Sequence, residues 1–168
     1  MGVKADRQAA EFTAFVRETG TQLHQAAMLL TGDHHLAEDL TQATYAKVFV
    51  QWRRVSAADS PVAYARRTLL NTFLSHRRLR RSGERPADLT PPDAGHEPDP
   101  SARLDLLAAL GTLAPVDRAV VVLRYWEDRS VADTARDLGL TESVVRTRAR
   151  RALHRLRPLL DVPERTLP

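Results

Sequence analysis

A chain of 168 residues, 43% hydrophobic but only 5% aromatic, suffices for one ordinary domain or two small ones and is thin in rings for an all-β core. The absence of cysteine excludes disulfide scaffolds, thiol nucleophiles and Cys-based zinc or iron–sulfur centres, and it fits a reducing cytoplasm; no run approaches the ~18 apolar residues of a membrane span, and residues 1–7 lack a signal peptide's apolar stretch. The 25 Lys and Arg against 21 Asp and Glu leave a net charge of only +4, so any contact with a polyanion rests on where the charges are placed.

The first lobe reads as helical throughout. Phe12, Phe15, Val16, Thr19, Leu23, Ala26, Ala27 and Leu30 recur at steps of three and four, which marks one buried face, with a break predicted at Gly20. Thr31, Gly32 and Asp33 stop this helix and start the next, because the Asp33 carboxylate can accept from unpaired first-turn N–H groups. The next helix is predicted from His34 to about Trp52, with Leu36, Leu40, Ala43, Val48 and Trp52 inward. Ser60 before Pro61 is a start signal, a capping hydroxyl followed by proline at the first helical position, for a helix to about Arg81. On that helix Val62, Ala65, Leu69, Phe73 and His76 project to a core face; Arg67, Asn71 and Arg78 project to the opposite one, with Ser75 at its edge. Leu74 sits within the polar face, which suits a covered surface better than a solvated one. From Val62 to Arg85 seven arginines stand against a single acid, Glu84.

From Gly83 to Ser101 the chain holds five of its ten prolines and five acids against one arginine, which predicts a flexible acidic linker over 83–100. It separates two domains, 6–82 and 101–160, each too small to be robust alone. The second opens with Leu104, Leu107 and Ala108 on one face. A further helix begins around Pro115: the 120–123 run (VVVL) has strand propensity, but the proline start and the spacing of Val116, Val120 and Leu123 favour helix. Two short helices follow, Ser130–Leu138 and Glu142–Leu156. The fold class expected is all-α: two small helical domains joined by a Pro-rich acidic linker, the second a helix-turn-helix.

That last assignment rests on particular residues. Ser130 and Asp133 have the form of a capping box, and Ala135, Gly139 and Val145 are spaced as in a helix-turn-helix. Small Ala135 lets the second helix approach, Gly139 supplies a positive-φ turn, Val145 closes the corner, and Thr141 caps the second helix. There Val145, Ala149, Ala152, Leu153 and Leu156 form a buried stripe. Ser143, Thr147, Arg150, Arg151 and His154 point the other way, flanked by Arg146 and Arg148. A DNA-recognition helix needs this split, with small polar residues near its N-terminus for base edges and arginines for guanine or phosphate. The competing reading is a solvated basic helix. Six arginines from Ser143 to Arg157 without one acid argue against it, since solvated helices usually carry i,i+4 pairs.

Nothing suggests catalysis. His34 and His35 beside Asp33, Glu38 and Asp39 lack a third convergent metal ligand. Glu38 and Asp39 are the first-turn acids that a helix dipole favours. There is no Gly-rich phosphate loop, nucleophile elbow or GxGxxG, so no catalytic residue, metal or cofactor is expected.

Three blocks remain: 29–42 (LLTGDHHLAEDLTQ), 64–72 (YARRTLLNT) and 120–130 (VVVLRYWEDRS). In this order, with a Pro-rich segment between the second and third, they resemble the bacterial RNA polymerase sigma factors of the extracytoplasmic-function class, most closely the actinobacterial SigE-like group. The resemblance runs from about Glu11 to Arg157. It implies a promoter-melting first lobe, a helix-turn-helix second lobe for the minus-thirty-five element, and a linker directed toward the RNA exit path. It further implies that Asp39, Leu40 and Gln42 dock on the clamp helices of the polymerase's largest subunit. Arg67, Asn71, Ser75 and Arg78, with the loop Val55–Pro61, would hold the unpaired minus-ten strand and capture flipped-out bases. Ser143, Arg146, Thr147, Arg150 and Arg151 would meet the minus-thirty-five duplex. No ATP is implied; melting would follow from binding the unpaired strand better than the paired one. Departures from the family pattern are Ala43 where many relatives carry an acid, Arg129 at a usually apolar position, Val144 for Thr and Arg146 for Lys. Residues 158–168 are too short for the extra C-terminal domains of some members.

The partners expected are core RNA polymerase and promoter DNA, double- and single-stranded. An anti-sigma factor is also compatible, since two flexibly joined lobes can reach a closed, inhibited form. A cytoplasmic location, no membrane contact and a free monomer are expected. The alternative is a stand-alone helix-turn-helix regulator acting as a dimer, which leaves the first lobe without a task; a nucleic-acid-processing enzyme is remoter, for want of an acid cluster. Exposure of Asp39, Leu40 and Gln42 on one side of the first lobe discriminates between the first two.

Overall fold

The computed structural model describes residues 2–81 and 100–160, and among these every regular element is a helix. Helix α1 (Gly2–Thr31) runs unbroken through Gly20, where a break was expected. A mid-helix glycine costs only about 1 kcal/mol, and α1 is fastened beside Gly20 by the Thr19 and Tyr45 hydroxyls, 2.8 Å apart. The stop comes at Gly32, at φ +67°, whose N–H bonds back to the Met28 carbonyl at 2.8 Å. Asp33 then caps α2 (His34–Val50), its Oδ1 accepting from the Leu36 N–H at 3.0 Å.

The buried face of α2 is Ala37, Leu40, Thr44 and Val48. The predicted face is therefore rotated: Ala43 is exposed and Leu36 half-buried. Thr44 takes the inward place because its hydroxyl donates to the Leu40 carbonyl at 2.7 Å, so it is buried without an orphaned polar group. Trp52 opens a separate short helix, α3 (Trp52–Val55), and packs with Phe15, Leu23, Val48, Val55 and Ala65. Ser60 accepts from the Ala63 N–H at 3.2 Å at the head of α4 (Pro61–Arg81), as its start signal predicted. Ala65, Leu69, Leu70 and Phe73 are buried on α4, whereas His76, expected inward, is exposed.

The expected linker over 83–100 lies outside the described residues except at Pro100, the first residue of α5 (Pro100–Gly111). Leu107, Ala109 and Leu110 are the buried residues of α5, while Leu104 and Ala108 face out, contrary to expectation. The valine run is helical. Helix α6 (Pro115–Val121) continues into one π-helical turn (Val122–Trp126), closed by the Glu127 N–H on the Val122 carbonyl at 3.0 Å. Then α7 (Val131–Leu138) and α8 (Glu142–Leu156) form the helix-turn-helix. Ser130 accepts from the Asp133 N–H at 3.0 Å, Gly139 has φ +65°, and Thr141 accepts from the Val144 N–H at 3.3 Å. Ala135 and Val145 are buried with Val120 and Ala149 at the corner. A 3-10 turn (Arg157–Leu159) follows.

The two lobes share a core. One apolar cluster joins Ala26, Leu30, Leu69 and Phe73 of the first to Leu107, Ala119, Val122 and Leu123 of the second, and Leu74 and Leu138 pack against it. Leu74 is thus half-buried against this shared core rather than fully solvated. Arg118, 5% exposed, clasps the junction. Its guanidinium donates to the Leu30 carbonyl at the end of α1 at 2.6 Å, and to the carbonyls of Gly111, the last residue of α5, and Leu113 just beyond it at 3.2 and 3.1 Å. A cation on carbonyls left open at two helix C-termini is favourable on both hydrogen-bonding and dipole grounds. Burial nevertheless lowers its pKa to about 10, with repulsion from Arg77 adding to the effect.

Candidate nucleic-acid and polymerase interface

The spacing of Arg67, Asn71, Ser75 and Arg78 along α4 is four, four and three, so a helix keeps them on one face, and all four are exposed. Asn71 lines an open hollow of about 400 Å³ with Lys47, Val50, Gln51, Tyr64, Thr68 and Thr72. Lys47 Nζ reaches across from α2 to the Thr72 hydroxyl at 3.0 Å. A cation, an aromatic ring and amide groups facing a hollow of this size offer what an unpaired base and its phosphate need. The α2 and Tyr64 side of this hollow was not foreseen; an exposed Val50, 78% accessible at a helix end, was the signal that could have found it. The loop residues 56–60 are also exposed.

The face carrying Arg67 is not free. Arg67 Nη2 lies 3.4 Å from the Asp137 carboxylate of α7, and the neighbouring Arg66 Nε lies 3.2 Å from Glu127 after the π turn. Glu127 also accepts from Gln22 of α1 at 3.0 Å.

Of the trio on α2, Asp39 and Gln42 are exposed and Leu40 is buried at 7%, so the expectation that all three lie exposed fails for Leu40. Residues three apart on a helix share a face, and those one apart do not. Leu40 instead belongs to a cavity of about 170 Å³ that Asp39 and Ala43 also line, together with Leu36, Phe73, His76 and Arg77.

On α8 the split is as expected. Val145, Ala149, Ala152 and Leu156 are buried, Leu153 is half-buried, and Ser143, Arg146, Thr147, Arg150 and Arg151 are exposed. Two arginines do have acidic partners that the sequence reading missed. Arg146 Nη2 pairs with Glu142, one residue before the stretch counted, at 2.8 Å, and Arg148 Nη1 pairs with Asp117 of α6 at 2.7 Å. Arg148 is thereby an internal brace of the second lobe. Asp133, in the first turn of α7, is held below the usual carboxylate range chiefly by its hydrogen bond with Ser130, with Arg129 and Arg136 adding to it.

Among the described residues no group of three His, Asp or Glu could hold a metal ion, and no helix is long and apolar enough to cross a membrane. An apolar groove of about 330 Å³, also unforeseen, lies between Leu29, Leu106, Tyr125, Trp126, Leu153 and Leu160.

Comparison with known proteins accounts for this arrangement. The family models for sigma-70 region 2 and sigma-70 region 4 match residues 15–83 and 103–156. The RNA polymerase sigma-E factor of Streptomyces avermitilis is 34% identical over 160 residues, covering 94% of this chain and 89% of its own. Among solved structures, the sigma factor RpoE in complex with the anti-sigma factor NepR from Bartonella quintana shares the fold. Its TM-score is 0.74 at 24% identity, over 92% of this chain and 99% of that one. CnrH in complex with the cytosolic domain of CnrY matches with a TM-score of 0.63 at 28% identity, over 89% of this chain and 87% of that one. The chain belongs to the sigma-70 family as an RNA polymerase sigma factor of the extracytoplasmic-function class, to which the 30% identical SigL of Mycobacterium tuberculosis also belongs, and is a transcription initiation factor that directs core polymerase to promoters.

Proposed function

We propose that residues 6–82 dock on core polymerase and hold the melted minus-ten strand, while residues 101–160 read the minus-thirty-five duplex. The observation that carries this division is the contrast between the two basic helices. On α8 the exposed polar and arginine residues stand on a capped recognition helix behind a tight turn, which suits a major groove. On α4 the exposed Asn71 instead borders a hollow with Tyr64 and Lys47, which suits an extruded base.

Arg67, Asn71, Ser75 and Arg78 act on the single strand, and Ser143, Arg146, Thr147, Arg150 and Arg151 act on duplex. Asp39 and Gln42 meet the clamp helices of the largest polymerase subunit, with Leu40 flooring the adjoining cavity for a partner side chain. The protein works by binding, without an active site of its own, in the cytoplasm where polymerase and promoters are. An anti-sigma factor is among its partners on this reading, in line with the complex that the Bartonella quintana sigma factor RpoE forms with NepR and with the open apolar groove.

The test is a template swap. Arg150→Ala should lower transcription from a duplex promoter about tenfold, the loss of roughly 1–3 kcal/mol of base or phosphate contact, and leave a pre-melted promoter lacking the upstream element unaffected. Asn71→Ala should impair both templates. Equal losses on both templates for Arg150→Ala would contradict the division of labour.

A further inference from the structure

We propose that Glu142 and Arg146 act as one unit that selects a single G·C pair in the minus-thirty-five duplex, the arginine on the guanine and the carboxylate on its paired cytosine. The proposal deepens, and rests on, the reading of α8 as the helix that enters the major groove. Glu142 is the first residue of α8 and the sole acid of that helix, beside five arginines. Thr141 caps the turn that carries it, accepting from the Val144 N–H at 3.3 Å. The N-terminal residues of a recognition helix are the ones that meet base edges.

A carboxylate at this end works against affinity. It repels phosphates, and it can only accept hydrogen bonds. An acid in a first turn with an arginine four residues on also steadies a helix, but that role alone gives no preference for any base. The neighbouring arginines are disposed differently. Arg148 turns inward onto Asp117 at 2.7 Å, and among the described residues Arg150 and Arg151 pair with no carboxylate. Arg146 is the exposed arginine of α8 that an acid holds in place, its side chain 62% and that of Glu142 50% accessible.

The geometry of the pair fits one base pair. Arg146 Nη2 donates to Glu142 Oε2 at 2.8 Å, so a donor and an acceptor stand side by side at the head of the helix. On the major-groove edge of a G·C pair the guanine O6 acceptor stands beside the cytosine N4 donor. These two are hydrogen-bonded to each other and lie about 2.9 Å apart. The protein's donor therefore meets O6 while its acceptor meets N4, and the guanidinium's second N–H reaches guanine N7. An A·T pair also offers a donor beside an acceptor, yet it fits worse. Adenine N7 would face the carboxylate, acceptor against acceptor, and the thymine methyl would stand where guanine N7 takes the second N–H.

The test is a selection. The protein assembled with core RNA polymerase is mixed with promoter-length duplexes randomised over both elements, and the bound fraction is sequenced. The wild-type chain should fix at least one G·C pair in the upstream element. Glu142→Ala should relax the preference at that one position about tenfold, the scale of one good base contact, and leave the other positions unchanged. Glu142→Gln, which keeps the side chain's shape, should move the favoured base there from cytosine to adenine, because a glutamine amide accepts from N6 and donates to N7. Thermal unfolding of both variants reports any loss of helix stability separately.

A relaxation spread evenly over the upstream positions, or none at any, would reduce Glu142 to a helix-steadying residue and overturn the proposal. A Glu142→Gln protein that still prefers cytosine would overturn the acceptor role, and a sensitive position that is A·T in the wild-type selection would overturn the base assignment. If the wild-type chain selected no upstream sequence, the reading of α8 would fall and this inference with it. An upstream sequence selected without regard to residue 142 would sink this inference alone.

Discussion

Truncating Val145 to alanine tests the corner of the helix-turn-helix and the coupling of the lobes together. Val145 is wholly inaccessible, packed with Val120, Ala135 and Ala149. Removing two buried methyl groups forfeits about 1.6 kcal/mol of transfer free energy. A void of roughly 40 Å³ that fails to collapse adds about 1 kcal/mol at ~24 cal/mol per Å³. The loss is about 2–3 kcal/mol, or a fall of about 1 M in the urea midpoint for a slope of roughly 2–3 kcal/mol per M.

The chain has two tryptophans, and the lobes divide them. Trp52 is buried in the first lobe, and Trp126 is 49% exposed in the second. In a Trp126→Phe background the fluorescence of Trp52 therefore reports the first lobe alone. Since the core cluster runs through both lobes, Val145→Ala should shift the Trp52 transition by the same amount as the helical signal from circular dichroism. A Trp52 midpoint that stays put while circular dichroism shows an earlier loss would refute the shared core. A loss below about 0.5 kcal/mol would refute the close packing of the corner.

Asp39→Arg should abolish binding to core polymerase and leave the melting temperature within a degree or two, because Asp39 is exposed; affinity measured by fluorescence anisotropy checks it, and unchanged affinity removes α2 from the docking surface. The pH dependence of stability should carry a contribution from His24. Burial first, then the neighbouring His34 and Arg103, lower its pKa, while Glu38 opposes them. The unfolded chain therefore takes up this proton first, so the contribution is fully present above the ordinary imidazole pKa of about 6.5 and is lost as pH falls through it. His24→Gln should shrink the drop in melting temperature between pH 7.5 and 5.5; an unchanged drop places its origin elsewhere.

Local signals in the sequence identified the features whose physics is local. Ser60, Ser130 and Thr141 cap the helices they were assigned to, Gly32 and Gly139 adopt positive φ, and α8 has the bounds its pattern predicted. Errors arose where side chains defy their class. Thr44 is buried because its hydroxyl is satisfied within its own helix, and that rotated the inward face of α2 away from Ala43. Gly20 does not break α1, because tertiary packing outweighs a small propensity cost. The π turn has no periodic signature in a run of valines. Least legible was the junction of the lobes. Arg66 and Glu127 are 61 residues apart and Arg67 and Asp137 are 70 apart, so no repeat or spacing links them. Only Leu74, an apolar residue in a polar face, and Arg129, a charge at a family's apolar position, hinted that something covers α4.

The central claim is that this chain is a polymerase subunit, and gel filtration of the purified protein mixed with core RNA polymerase at moderate salt tests it most directly. Co-elution at one copy per core enzyme is the predicted result. A protein that elutes alone, intact and free of any co-purified inhibitor, would contradict the account and favour a stand-alone DNA-binding regulator.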